Sequence, residues 1–98
     1  RIASQLAGKT VMFMASHGVT VVGPNMAWAF DDLYYLERAC MHQVLATQAA
    51  AGKPLRIVDD ALAARVAEQV DGERQQSDMY FASIKRMLDH EEPGWSTF

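Results

Sequence analysis

The segment Lys9–Gly23, KTVMFMASHGVTVVG, carries two extended runs separated by a break at Ser16-His17-Gly18. In the first run, Lys9 to Ser16, the residues Val11, Phe13 and Ala15 face one way while Met12 and Met14 face the other, and both sets are apolar. In the second, Val19 to Gly23, the residues Val19, Thr20, Val21 and Val22 are β-branched and again suit burial on both sides. A tight link through Gly18 predicts a hairpin. A hairpin alone is marginal in water, so strands built for cover on both faces need neighbours on at least one edge. The completing strands are expected either upstream of Arg1 in a longer parent protein or in another copy of the chain.

Downstream, Gly23-Pro24-Asn25 breaks the second run, and Asn25 is placed to cap a helix predicted over Met26–Ala51. At about 100° per residue, Phe30, Leu33, Tyr34, Glu37, Met41, Val44 and Leu45 form one core-facing stripe. Trp28, Tyr35, Ala39 and Ala46 gather on the opposite side, the mark of a helix packed on two faces. Gly52 ends this helix, and Lys53 to Arg56 reads as loop. Asp59 and Asp60 cap a short helix through Leu62, Val66 and Val70, which Asp71-Gly72 interrupts. A last helix, about Glu73 to Glu92, puts Tyr80, Ile84, Met87 and Leu88 on one face and turns Lys85, Arg86 and Asp89 to water. Pro93-Gly94 stops it, leaving Trp95 to Phe98 as a tail.

The 98 residues, half of them hydrophobic, suit one small folded domain. A formal net charge of -3 leaves no basic surplus for a nucleic-acid backbone. Cys40, the single cysteine, rules out an intrachain disulfide and a multi-cysteine zinc site. The longest apolar stretch, Thr10 to Ala15, is far short of the roughly 20 residues that cross a bilayer, and no signal segment opens the chain. A cytoplasmic location is therefore expected, with no membrane partner. A chain that opens at Arg1 rather than at methionine is expected to be processed, truncated or incompletely represented.

His17 stands out chemically. It lies at a strand end beside a glycine that frees local space, where a neutral imidazole can project as a metal ligand. A catalytic zinc takes about three protein ligands, and neither His42 nor His90 lies at a spacing that helps, so both are expected to be solvated. Glu37 sits about 20° from the centre of the apolar stripe, where a carboxylate must be paired or hydrogen-bonded. It is expected to serve as a structural anchor, to orient His17 or to accept N–H bonds from the hairpin turn. Ser16 lacks a nucleophile elbow, Gly18 and Gly23 make no phosphate loop, and Cys40 reads as packing. Asp31-Asp32 and Glu91-Glu92 read as solvated helix surface.

The stretch Val11–Ala46, VMFMASHGVTVVGPNMAWAFDDLYYLERACMHQVLA, resembles the C-terminal part of the class II aldolase/adducin family. Its carriers are the His-Gly hairpin and the run Ala29-Phe30 to Leu33-Tyr34-Tyr35-Leu36-Glu37-Arg38-Ala39 on the long helix. The segment Tyr80–Asp89, with Glu91, Glu92 and Pro93, adds to the likeness. The resemblance implies an α/β class of three-layer α/β/α type, of which residues 1–98 are a C-terminal part made of a β-hairpin and three helices. It also implies a homo-oligomer, usually a tetramer, and a divalent metal, commonly Zn2+, held by three histidines. Two of these come from an upstream H-x-H, and the third corresponds to His17. Enzymes of this kind make or break a carbon–carbon bond beside a carbonyl, by aldol cleavage or decarboxylation of a small-molecule substrate, and the metal stabilises an enediolate as a Lewis acid. Ser16 departs from the asparagine often found before His-Gly.

No H-x-H occurs in this sequence, so the 98 residues alone are expected to be inactive, and the parent is read as a metal-dependent lyase. The alternative is a non-catalytic, adducin-like domain that keeps the fold for assembly or scaffolding.

Overall fold

The computed structural model describes residues 2–97; Arg1 and Phe98, the first residue and the end of the expected tail, lie outside the described residues. Helix α1 (Ile2–Leu6) leads into strands β1 (Val11–Met14) and β2 (Gly18–Val21), and helices α2 (Met26–Ala50), α3 (Asp60–Gly72) and α4 (Gln75–Glu91) follow. The result is a set of helices with a small two-stranded sheet, the α/β combination expected from the sequence. Helix α1 is an addition to that expectation. Its five residues are too few for a periodic pattern, and its stop is conformational, at Ala7 (φ 48°) and Gly8 (φ 76°).

The strands pair antiparallel with Val11 opposite Val21, Met12 opposite Thr20, Phe13 opposite Val19 and Met14 opposite Gly18. Both are shorter than their apolar runs. The chain leaves the sheet at Ala15 because Ser16 takes a left-handed φ of 61°, and Gly18, expected in the link, opens β2 instead. Among the described residues the sheet holds only these strands, so each keeps one unpaired edge, and neither carries a charge or a proline to shield it.

Helix α2 begins as predicted. The Asn25 side chain accepts a hydrogen bond from the Trp28 backbone N–H at 2.9 Å, which satisfies one of the free donors of the first turn. It ends one residue early, with Ala51 (φ 51°) and then Gly52 (φ 85°) both left-handed. Asp59 caps α3 by accepting from the Leu62 N–H at 2.7 Å. The interruption falls after Asp71-Gly72, at Glu73-Arg74, and α4 starts with Arg74 in the capping place. Before Pro93 the helix gives out, as the restriction on the residue preceding proline requires. Trp95 then folds back, its Nε1–H donating to Asp89 at 2.8 Å.

Packing concentrates on one seam between α2 and α4, where Phe30 meets Tyr80 and Phe81 at ring-centroid distances of 6.1 and 5.7 Å. Tyr80, Ile84 and Leu88 of the expected α4 face are half-buried there, whereas Met87 is exposed. Among the described residues Ser77 is the only buried one, and no apolar side chain joins it. The α2 stripe stays open, with Val44 and Leu45 more than half exposed. A folded monomer of this mass exposes about 5,600 Å², whereas this chain exposes 8334 Å². The apolar surfaces that periodicity marked as core lack the layer that makes them one.

Candidate metal-ligand turn and its surroundings

His17 is the third residue of the Ala15-Ser16-His17 turn that joins β1 to β2. Its backbone N–H donates to the Met14 carbonyl at 3.2 Å, and its side chain is exposed. The neighbouring glycine acts differently from the sequence expectation. A Cβ built on Gly18 meets nothing within 4 Å, so space is not what the glycine supplies. Its φ of 108° is, because that region strains any residue with a side chain. Ser16, also left-handed, occupies a conformation that asparagine tolerates better than serine.

The imidazole borders a cleft of about 650 Å³ that Gln5, Met12, Met14 and Ala15 also line. Thr20 Oγ1 donates a long contact, 3.7 Å, to the Met14 sulfur on this face. Glu37 lies in a second cleft of about 480 Å³ between the hairpin and α2, with Phe13, Val19, Phe30 and Leu33. The helical count therefore places Glu37 correctly on the hairpin-facing side of α2. The burial expected of it is not reached, since its side chain is 65% exposed and it pairs with Arg38 Nε at 3.8 Å. Phe13 borders both clefts, and His17 and Glu37 are not brought into one. Cys40 is exposed at the rim of the second cleft, and His42 and His90 are exposed as expected.

The acidic pair Asp31-Asp32 corrects the sequence reading. Both were expected at a solvated surface, and both face α4. Ser77 donates its hydroxyl to Asp31 at 2.7 Å, and Arg74 reaches Asp32 with both terminal nitrogens at 2.7 and 3.2 Å. Arg74 also bonds Asp71 at 3.2 Å and lies over the Trp28 ring, 4.9 Å from its centroid, while Trp28 Nε1–H donates to Asp78 at 3.2 Å. The hydrogen bond to Asp32 holds the Arg74 guanidinium above its ordinary pKa, against a smaller opposing effect of burial. Only the Glu91-Glu92 pair behaves as the solvated surface expected.

Among the described residues, no three His, Cys, Asp or Glu side chains come together as a group able to hold a metal ion. An imidazole on an open, backbone-anchored tip suits one position of a divalent-ion sphere, and the described residues do not furnish the others. No helix among them is long and apolar enough to cross a membrane.

The hairpin and the start of α2 also fall where known proteins agree. The family described as Class II Aldolase and Adducin N-terminal domain matches residues 1–44. A protein of Caulobacter vibrioides (strain ATCC 19089 / CIP 103742 / CB 15), named "Putative aldolase class 2 protein", is 29% identical over 97 residues, covering 98% of this chain. The chain spans 37% of the length of that relative. The family model thus reaches from α1 through the hairpin into α2, and the likeness to the Caulobacter protein extends over 97 residues. No solved structure matches the chain.

Proposed function

We propose that residues 1–98 are the C-terminal portion of a single class II aldolase/adducin-type domain of three-layer α/β/α form, and that the complete protein is a metal-dependent lyase. It acts on a carbon–carbon bond of a small carbonyl compound, by aldol cleavage or decarboxylation. The observation that carries this reading is the tip itself. An exposed imidazole, fixed by its backbone bond to Met14, stands at the end of a sheet whose outer edges are open for further strands.

In this reading His17 gives one imidazole nitrogen to a divalent ion, Zn2+ by family resemblance, and an H-x-H upstream gives two more. The ion supplies Lewis acidity toward substrate oxygens. The other residues here serve geometry. Ser16 and Gly18 set the backbone that aims the ring, and Glu37, lining the cleft with Phe13 and Val19, buttresses α2 against the hairpin. The complete protein is proposed to be a cytoplasmic homo-oligomer, a tetramer by resemblance, and the 98 residues alone are inactive.

The complete gene product is expected to encode H-x-H upstream of Arg1 and to hold close to one divalent ion per subunit, which His17→Ala abolishes. Unchanged metal content in that variant would defeat the assignment. Other residues at the H-x-H position, together with an absence of bound ion, would favour the scaffold.

A further inference from the structure

We propose that a second copy of the chain docks on α3, and that it does so with its own α2–α3 loop, Lys53 to Val58. All thirteen residues of α3 are exposed, Leu62, Val66 and Val70 of its apolar stripe among them. A lone helix of about that length is marginal in water, so α3 needs a neighbour that its own chain does not supply. The side-chain bond that anchors it lies at one end, from Arg74 to Asp71 at 3.2 Å, and Val70 there borders a cleft with Tyr35 and Tyr80. The layers that complete the sheet do not meet this need. Arg74 ties the same end to Asp32, which lies about 140° round α2 from Glu37 at the helical 100° per residue. The anchored end of α3 is therefore on the side of α2 turned away from the hairpin cleft that Glu37 lines.

Charge identifies the partner. Asp59 and Glu73 stand seven residues either side of Val66, which on a helix puts each about 20° from it. The stripe Leu62–Val66–Val70 thus carries a carboxylate at both ends, while Arg65, the one cation of α3, is about 100° off the stripe centre. From Arg38 to Arg56, by contrast, the chain holds no carboxylate. Lys53 and Arg56 stand in the loop beside Ile57 and Val58, which are 86% and 58% exposed. A loop that offers cations next to bare β-branched side chains complements a stripe that offers carboxylates next to bare apolar ones. Within one chain the loop leaves the stripe uncovered, as the exposure of Ile57 and Val66 shows. Because the two are neighbours in sequence, a two-fold axis pairs the loop of each copy with the helix of the other and makes the contact twice. This inference deepens the homo-oligomer reading and rests on it, but it takes nothing from the metal chemistry.

The test follows assembly of the complete protein by sedimentation. Lys53→Glu with Arg56→Glu makes loop and stripe both acidic, and Gln69→Lys with Glu73→Lys makes both predominantly basic. Each variant alone is expected to assemble only at roughly tenfold or higher concentration than the unaltered protein, because like charges then face one another. An equal mixture of the two is expected to restore assembly, since every loop again meets a stripe of opposite sign. Assembly unchanged in either variant, the result if upstream polypeptide of the same subunit covers α3, would overturn the proposal. So would a mixture that associates no better than its parts. All four positions are exposed and lie outside the metal turn, so metal content is expected to be the same in every variant. A complete protein that sediments as a monomer defeats the homo-oligomer reading together with this pairing, whereas an oligomer indifferent to these substitutions defeats the pairing alone.

Discussion

The two sides of α2 are held to different degrees. Toward α4 the Phe30, Tyr80 and Phe81 rings pack beside directional bonds, a two-pronged Arg74–Asp32 bond, a Ser77–Asp31 bond and a Trp28 ring under the guanidinium. Toward the hairpin the contact is apolar and unfinished, a cleft edged by Phe13, Val19 and Leu33 in which even Glu37 stays open. Directional bonds close a contact between two elements by themselves, whereas a hydrophobic contact needs enough surrounding atoms to exclude water. The chain therefore keys its α2–α4 seam with directional bonds and leaves the hairpin side of α2 open.

The strongest way to break this contrast is to ask whether the apolar side stays bare. The isolated chain is expected to self-associate in sedimentation experiments, because the excess of about 2,700 Å² over a compact monomer is several times the roughly 800 Å² that each partner buries in a standard interface. A clean monomer would show that this side needs no cover. At the seam, Phe30→Ala removes the ring shared by Tyr80 and Phe81 and is expected to destabilise α2–α4 packing by about 2 kcal/mol, below the range for a fully buried phenylalanine. Urea unfolding followed by helical circular dichroism checks this. Arg74→Met is expected to cost about 1–2 kcal/mol in the same measurement, since it strips charged hydrogen bonds from a part-exposed Asp32.

Alkali sharpens the same point. A cation whose folded pKa is raised contributes stability that is fully present below its ordinary value and lost only as pH rises through the elevated one. For Arg74 that loss lies beyond the ordinary guanidinium range, so the Arg74–Asp32 pair is expected to make the same contribution to α4 stability at every pH below that range, checked by comparing wild type with Arg74→Met in urea unfolding at neutral and mildly alkaline pH. The smallest effect is at the hairpin tip. Ser16→Asn is expected to stabilise the turn by about 0.5 kcal/mol, because asparagine accepts the left-handed φ more readily. A loss of stability there would show that the serine hydroxyl has a role that backbone conformation does not explain.

Legibility in the sequence followed range. The hairpin, the Asn25 and Asp59 caps and the stop before Pro93 are local, and alternation or capping chemistry announces each one. The seam was illegible because its bonds join residues 42 to 50 positions apart, and an Asp-Asp pair looks the same whether an arginine or water faces it. Periodicity put Glu37 on the proper side of α2 but could not set its exposure, which depends on what lies above the helix. His17 was readable as a tip residue, while the left-handed state of Ser16 had only the missing asparagine as its trace.

Ser77, the buried residue at 3% exposure, is a hydroxyl and not a hydrocarbon. Greasy contacts let one helix slide along another, but a hydroxyl bound to one carboxylate does not. A slip of one turn, about 5.4 Å, would part Ser77 from Asp31 and Arg74 from Asp32 at once. The C-terminal helix is thereby keyed to a single notch on its neighbour, so whatever polypeptide later closes over the open side meets a rail whose alignment is already set.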